Sequence, residues 1–300
     1  MGLSGVRHER EYHVLQDMHQ DGYSIAELCR ALSISRSAYY KWCHRTPSPS
    51  ERENRRILAE MRALYHQFGG IYGYRRLCDE YNALHGTHYN EKRFYRLAKI
   101  GGLRAVIRTP RPTKNAAPIA QLPANILARD FTAQSPNQKW LTDITELEYA
   151  NGQKLYLSAI LDLGAHDIVA FAISPANNNN LVFTTFDRAI EKYPDAHPLV
   201  HSDRGFQYTN IKFKSKLRDH GMLQSMSRAG MCLDNAPMEA FWGTLKSEMY
   251  HLHHFDDYDT LAGAIEGYIH FYNTRRRQRS LDHLPPLAYR KRHEPEKHDT

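Results

Sequence analysis

The stretch "PLVHSDRGFQYTN" (198–210) places an aspartate, an arginine and a glycine directly after a short apolar run. Leu199 and Val200 predict a buried strand, and Asp203 at its end predicts a carboxylate at the rim of a sheet, where catalytic groups often lie. The same pattern is typical of an ordinary turn, because aspartate and glycine both favour turns. A catalytic role for Asp203 therefore requires other carboxylates that the fold brings to the same place.

Two further carboxylates meet that requirement. "WLTDITE" puts Asp143 in the middle of a predicted strand, where an ionised carboxylate is costly unless a cation meets it. If this strand neighbours the one ending at Asp203, the two like charges repel unless a divalent ion lies between them. Glu239 lies on a predicted long helix and shares one face with Lys246 through i, i+7 spacing.

The donor chemistry of these three acids predicts a site for hard metal ions. Carboxylate oxygens without cysteine favour Mg²⁺, and Mn²⁺ can substitute for it. Two such ions about 3.5–4 Å apart can activate an attacking oxygen and stabilise the leaving one at phosphorus. From the residues alone, Asp143, Asp203 and Glu239 predict metal-dependent phosphodiester chemistry on a nucleic acid.

Other acids and histidines receive structural interpretations. Asp162 ends a neighbouring strand and Asp234 can cap the long helix, so neither is expected to be a primary ligand. The remaining acids near the motifs are expected at the surface: Glu146, Glu148 and Glu248. The histidines beyond the helix lie in a polar run and are expected to be solvated: His251, His253 and His254.

The region from Lys139 onward alternates apolar β-rich runs with helical patterns. The predicted strands cover residues 139–149, 154–164, 167–174, 198–203 and 223–227, and the predicted helices cover 180–193, 209–220 and 235–250. Three strands in a meander followed by alternating helices and strands predict an α/β fold, a mixed sheet covered by helices.

The N-terminal region predicts a helix-turn-helix over 1–48. Ser24 with Glu27 forms a capping-box pattern, and Ser35 can cap the second helix. The inward face is predicted to carry Leu28, Ala31 and Leu32, and on the second helix Ala38, Tyr39 and Trp42. The exposed candidates for DNA contact at the start of that helix are Arg36, Ser37, Tyr40 and Lys41.

A second helical DNA-binding region is predicted over 49–105. One helix ends at Gly86, and the next begins at an Asn90 cap and ends at Gly101. The basic candidates for phosphate contact on this pair are Arg75, Arg76, Lys92, Arg93 and Arg96. The alternative is that some of these side chains only solubilise the helices. The three remaining predicted segments are an extended basic, Pro-rich linker (106–130), the catalytic core (131–274) and a basic C-terminal tail (275–300).

Charge and composition narrow the class of protein. The net charge of +7 divides into 20 basic against 11 acidic residues over 1–128, 12 against 18 over 129–274, and 8 against 4 over 275–300. Basic flanks suit phosphate and an acidic middle suits metal cations, although ordinary solvated surfaces give the same pattern. The four cysteines form no C-x-x-C pair, and no apolar run approaches the ~18 residues of a membrane span. We expect a cytoplasmic, nucleoid-associated bacterial protein.

Three motifs carry a resemblance that covers the whole chain: "WLTDITE", "HSDRGFQYTN" and "DNAPMEAFWGTLKSE". They resemble the OrfB-type transposases of the bacterial insertion-sequence group three, whose catalytic core is similar to retroviral integrases and has an RNase H-like fold. The interval of 35 residues between Asp203 and Glu239 matches the D,D,35,E spacing of that family. "YGYRRL" resembles the family's upstream helix-turn-helix region. "YNTRRRQRSLDHLPPLAY" (272–289) resembles its C-terminal signature, with Gln278 in place of the usual histidine and Asp282 in place of the common glycine.

The resemblance implies more than the residues alone do. Asp143, Asp203 and Glu239 would ligate two Mg²⁺ ions, and Lys246 would contact DNA near the scissile phosphate. The activity would be hydrolysis at an element's 3′ end followed by attack of the freed 3′-OH on target DNA, after binding of terminal inverted repeats. A homo-oligomer on DNA and an upstream OrfA-type partner, or a frameshifted fusion with it, would complete the system.

Two rival functions remain open. A metal-dependent nuclease of the same fold would hydrolyse DNA without joining strands, but it would not need the large basic N-terminal region. A DNA-binding regulator would keep the acids only as structural or vestigial groups. Inverted repeats and a short overlapping upstream reading frame around the gene would favour a transposase.

Overall fold

The computed structural model describes residues 8–107, 125–228 and 232–294. Most of the predicted linker and the last six residues lie outside this described part. The chain divides into two compact units, Met1–Val106 and Ile107–Thr300. The finer division into five segments stays a prediction.

The first unit is all α-helical. Its helices are α1 (Glu9–Gln20), α2 (Ile25–Ala31), α3 (Arg36–Cys43), α4 (Pro49–Gln67), α5 (Tyr74–His85) and α6 (Glu91–Gly101). The Ser35 side chain accepts a hydrogen bond from the Ala38 amide, and the Asn90 side chain accepts one from the Lys92 amide, as predicted. Gly86 closes α5 with a φ of 60°, a left-handed conformation that favours glycine.

Two local predictions for the first helix pair were wrong. Ser24 lies at the N-cap of α2, but its side chain makes no capping hydrogen bond, so the capping box with Glu27 does not form. Leu32 is 39% exposed and Ala31 is exposed. The helix ends at Ala31, so the 3.6-residue period no longer applies to the next turn. The buried residues of this small core are Tyr12, Leu15, Leu28, Cys29, Ile34 and Tyr39.

The second unit contains a five-stranded mixed sheet. Its strands are β1 (Lys139–Tyr149), β2 (Gln153–Asp162), β3 (Ile168–Ser174), β4 (Leu199–Ser202) and β5 (Leu223–Met226), in the order β3-β2-β1-β4-β5. β1 pairs antiparallel with β2 and parallel with β4, and β4 pairs parallel with β5. The mixed sheet predicted from the hydrophobic pattern is confirmed.

Helices cover both faces of this sheet. They are α7 (Asn179–Lys192), α8 (Phe206–Thr209), α9 (Ile211–Asp219), α10 (Ala236–Glu248), α11 (Tyr258–Thr274) and α12 (Pro286–His293). One apolar core joins Trp140 and Val200 to α7 and α9, and the other joins Leu141 to α10 and α11. Because side chains alternate along β1, Asp143 lies on the same face as Leu141, the face that α10 covers.

Two polar side chains of the C-terminal signature, Asn273 and Arg276, bind it to the rest of the second unit. The Asn273 side chain bonds both the amide and the carbonyl of Ile168. Arg276 donates to both carboxylate oxygens of Glu248 at 2.8 and 2.9 Å, and both side chains are buried. Glu248, expected at the surface, instead lies inside, because the arginine and the Tyr268 hydroxyl neutralise and solvate it.

Within the described ranges, the helices are too short or too polar to cross a membrane.

Candidate active site

The parallel pairing of β1 and β4 brings two of the predicted catalytic acids side by side. Thr142 pairs with Ser202 in the last position of the register, so Asp143 and Asp203 are the next residues on the two strands. Neighbouring strands lie about 4.8 Å apart. The sequence could not show that these strands are adjacent, but it placed both acids at positions where adjacency makes them meet.

The long helix α10 brings the third acid to the same edge. The indole N–H of Trp242 donates to the Asp143 carboxylate at 3.0 Å, which fixes this face of α10 against β1. Glu239 lies one turn before Trp242, and Lys246 lies one turn after it, so all three share that face. Glu239 is exposed and Lys246 is half-buried.

The electrostatics show that the acids influence one another. Burial, together with the charges of Asp203 and Glu239, raises the pKa of Asp143 to about 6, against the lowering effect of the hydrogen bond from Trp242. Partial desolvation by the neighbouring protein also raises the pKa of Asp203 and of Glu239, although both residues remain exposed. A group of carboxylates whose charged forms are all disfavoured is the state that a bound cation reverses.

Lys246 is the cation on this face of α10. Burial lowers its pKa, while the carboxylates of Asp143 and Glu146 act in the opposite direction. A half-buried ammonium group beside the acids can contact an anionic ligand without leaving the helix face.

The loop after β4 explains why glycine follows the aspartate and arginine. The Gly205 amide donates to the Asp203 carboxylate at 2.9 Å, which orients this side chain at the strand end. A Cβ at Gly205 would lie 3.0 Å from that carboxylate oxygen and 3.0 Å from the Gln207 side-chain oxygen. Arg204 donates to the Ser227 carbonyl at 2.7 Å and so anchors the loop to the end of β5. A side chain at this position would require the Asp203 and Gln207 side chains to shift by a few tenths of an ångström.

The donor set fits divalent metal ions in its chemistry. Three carboxylates from β1, the β4 loop and α10 offer oxygen ligands only, which is the preference of Mg²⁺ and Mn²⁺. As the side chains stand, the described residues contain no group of three or more His, Cys, Asp or Glu side chains close enough to hold a metal. The exposed Glu239 is the acid that must turn inward to complete such a site.

The acids assigned structural roles are neutralised elsewhere. Asp162 accepts hydrogen bonds from the amides of Asn137 and Ala165 and lies 3.5 Å from the Arg290 guanidinium. Asp234 accepts from Arg228 and Arg129, which hold its pKa well below its usual range. Asp234 therefore joins loops by ion pairs and does not cap α10, whose N-cap is Asn235. The histidines after α10 are exposed, as expected: His251, His253 and His254.

The predicted DNA-contact residues of the first unit differ in how exposed their side chains are and in the contacts that they already make. The exposed ones are Arg36, Ser37, Tyr40, Lys41, Arg75, Lys92 and Arg96. Arg76 is half-buried over the Tyr72 ring. Arg93 donates to Glu53 at 2.6 Å and to Asn54 at 2.8 Å, so it holds α6 against α4. DNA contact by these residues stays a prediction.

Sequence reasoning missed two side chains that support the acids. Trp242 lies on the helix face predicted for Glu239 and Lys246, but its hydrogen bond to Asp143 joins residues 99 positions apart in the chain. The buried hydroxyl of Tyr208 bonds the Thr142 hydroxyl at 3.2 Å, beneath Asp143 and Asp203. The only signal was that each polar aromatic stands three to five residues from a candidate acid.

Models of known families match most of the chain. Residues 133–232 and 239–293 match integrase core domain models, and residues 51–111 match an HTH-like domain model. The HTLV-2 integrase catalytic core domain, solved in complex with magnesium, aligns with 53% of this chain and 99% of its own, at 17% identity and a TM-score of 0.43.

Curated relatives cover nearly the whole chain. The putative transposase InsK for insertion sequence element IS150 of Escherichia coli is 39% identical over 280 residues, 92% of this chain and 96% of its own. The transposase InsF for insertion sequence IS3A of the same species is 33% identical over 283 residues, 92% of this chain and 97% of its own. The predicted RNase H-like core preceded by helix-turn-helix modules is confirmed. The chain belongs to the transposase family of the bacterial insertion-sequence group three and is an enzyme of the DDE type.

Proposed function

We propose that this transposase hydrolyses the phosphodiester at the 3′ ends of an insertion sequence and then joins each freed 3′-OH to target DNA. The observation that carries the proposal is that Asp143 and Asp203 directly follow paired residues of β1 and β4, and that burial together with the charges of Asp203 and Glu239 raises the pKa of Asp143. Carboxylates gathered in this way are suited to divalent cations and not to one another.

Asp143, Asp203 and Glu239 would hold two Mg²⁺ ions, for which Mn²⁺ can substitute. Bound ions would supply charge stabilisation for the attacking and leaving oxygens at phosphorus. The chain's own part is to hold the carboxylates in place. Trp242 fixes Asp143 from α10, and the Gly205 amide fixes Asp203 from the loop.

The remaining residues would bind the DNA. Lys246 lies on the face of α10 that carries Glu239 and would contact the backbone near the scissile phosphate. In the first unit, the exposed start of α3 would enter a major groove at the terminal inverted repeats. The basic residues of α5 and α6 would add phosphate contacts there: Arg75, Arg76, Lys92, Arg93 and Arg96. The reaction would take place on bacterial DNA in the cytoplasm, at the nucleoid.

The test is strand transfer with purified protein, Mg²⁺ or Mn²⁺, and labelled duplexes that carry the gene's flanking repeats with a recessed 3′-OH. Glu239→Gln should reduce joined product by at least about a thousandfold, because metal-bound oxygens supply several kcal/mol of transition-state stabilisation. Glu191→Gln on α7 is the matched control, since this glutamate is exposed and lies on another helix. Full activity in Glu239→Gln would contradict the proposal.

The same assay separates the alternative functions. Cleavage without joined product would indicate a metal-dependent nuclease. Binding without chemistry in both metals would favour a DNA-binding regulator or a requirement for an upstream OrfA-type partner. Adding that partner, or expressing the frameshifted fusion, then distinguishes these two outcomes.

Bringing two element ends together requires at least two copies of the chain on DNA. Ultracentrifugation of the complex with end DNA should give a protomer number of two or more. A single protomer in a complex that still joins DNA would contradict this part of the proposal.

A further inference from the structure

A cleft of about 670 Å³ opens on the surface of the first unit between the start of α5, α6 and the segment that follows it. It is lined by Gly73, Tyr74, Tyr95, Ala98, Lys99, Gly102, Leu103, Arg104 and Ala105. Its size is within the roughly 300–1,000 Å³ that is usual for ligand sites in proteins. The residues that line it belong to the first unit, whereas the candidate catalytic acids belong to the second.

Two tyrosines form the aromatic wall of the cleft. The rings of Tyr74 and Tyr95 pack edge to face with centroids 5.1 Å apart, and Tyr95 is 54% exposed. The wall is rigid, because Leu77 and Phe94 bury these helices in the core of the unit. An exposed tyrosine held in one orientation presents a ring face on which a planar group can stack.

Two cations complete the cleft. Lys99 follows Tyr95 by one helical turn, and Arg104 follows the left-handed turn at Gly102. Both side chains are exposed. The Arg104 carbonyl accepts a hydrogen bond from the Tyr65 hydroxyl at 2.7 Å, which fixes the backbone of this wall. Among the described residues that line the cleft, none is acidic, so the charge is complementary to phosphate.

We propose that this cleft binds a single-stranded segment of DNA, with an unpaired base stacked on Tyr95 and the neighbouring phosphates bound by Lys99 and Arg104. Stacking platforms beside cationic grooves are the usual means of binding single strands, because every base has a π-face. The assignment rests on the proposed function, because a chain that cuts and rejoins DNA strands handles strand ends whose terminal bases can unpair. It adds a second binding mode to the helix-turn-helix contacts with duplex DNA.

The test measures binding without chemistry. The full chain, in EDTA, is titrated onto a fluorescent single-stranded oligonucleotide of about ten nucleotides and onto the corresponding duplex. Tyr95→Ala should weaken single-strand binding about tenfold and change duplex binding by no more than about twofold. Tyr95→Phe keeps the ring and should bind within about twofold of the unaltered chain. Tyr23→Ala is the matched control, because this tyrosine is 56% exposed elsewhere in the same unit.

The cations are tested by salt dependence. Lys99→Gln and Arg104→Gln should each reduce the slope of log K against log salt by about 0.7 for the single strand. The proposal is overturned if Tyr95→Ala leaves single-strand binding unchanged or weakens single-strand and duplex binding equally. It is also overturned if Tyr95→Phe weakens single-strand binding as much as Tyr95→Ala does. Because EDTA removes the divalent ions that catalysis would need, this binding test and the strand-transfer test with Glu239→Gln are independent. Either one can fail without changing the result of the other.

Discussion

Two groups of charged side chains lie on or next to the five-stranded sheet, and their carboxylates differ in how their charge is balanced. The closed cluster is Asp162, Asp167 and Arg290; the open cluster is Asp143, Asp203 and Glu239. In the closed cluster, Arg290 donates to Asp167 at 2.6 Å and lies 3.5 Å from Asp162, and all three side chains are buried. In the open cluster, carboxylates neighbour one another and raise the pKa of Asp143.

The source of the counter-charge distinguishes structural acids from catalytic ones. A buried carboxylate that is stabilised by a guanidinium group already has its counter-charge in the fold. Carboxylates that face one another at a strand end, where a ligand can approach, leave that counter-charge to be supplied from outside. The following predictions test this contrast, beginning with the largest expected effect.

Arg290→Met should destabilise the protein by about 3–5 kcal/mol, because it leaves two buried carboxylates without their cation. Urea denaturation measures the change. Arg292→Met on the same helix is the control, since Arg292 is exposed and should change stability by less than about 0.5 kcal/mol. If Arg290→Met does not fold, the double variant with Asp167→Asn should recover part of the loss. Equal stability of the two single variants would remove the contrast between the clusters.

His201 on β4 tests the effect of burial on a titratable group outside both clusters. Its ring lies between the hydroxyls of Ser225 and Ser227, and burial lowers its pKa to about 4. In the unfolded chain a histidine titrates near 6.5, so below that pH the unfolded state gains protons first. Stability is therefore complete above about pH 6.5 and decreases towards pH 4, by about 2–3 kcal/mol from this group.

The measurement is urea denaturation between pH 7 and pH 4.5 for the unaltered chain, His201→Asn and His254→Asn. The His201 variant should lose part of the acid dependence, whereas the His254 variant should retain it because His254 is exposed. Identical pH profiles for all three proteins would contradict a neutral buried His201.

Asp143→Asn should raise the free energy of unfolding by about 1 kcal/mol at pH 8 in EDTA. The folded pKa of about 6 lies above the unfolded value, so this carboxylate destabilises the fold once the pH exceeds both. The substitution removes the repulsion from Asp203 and keeps an acceptor for Trp242. Thermal unfolding in EDTA and in Mg²⁺ tests this, and the gain should shrink in Mg²⁺. Asp162→Asn is the counterpart in the closed cluster and should change stability equally in both buffers, because Arg290 and not a metal ion is its counter-charge.

The contrast also separates what the sequence predicts from what only the fold reveals. The strand over 139–149 is predicted with its observed bounds, because its apolar and β-branched residues alternate between turn signals. Asp143, Asp203 and Glu239 stand out because each carries a charge inside or directly after an apolar run. These are local features of the chain, and the interval of 35 residues between Asp203 and Glu239 adds the resemblance to the transposase family.

The supporting contacts are long-range and left no such local trace. Arg290 meets Asp167 from 123 positions away, and Arg276 meets Glu248 from 28. Nothing in the sequence distinguishes Arg290 from the exposed basic residues beside it. The prediction that Leu32 faces inward was wrong for a related reason. Leu32 lies directly after the end of α2, so the helical hydrophobic period does not set the direction of its side chain.

The central claim is that the open cluster receives divalent metal ions and the closed cluster does not. Fe²⁺ in place of Mg²⁺, with ascorbate and end DNA, generates radicals that cut the protein backbone beside bound metal. We predict fragments that end near residues 143, 203 and 239. These fragments should disappear in Glu239→Gln and decrease in yield with excess Mg²⁺. Fragments ending near residues 162 and 167 instead, or fragments that persist in Glu239→Gln, would contradict it.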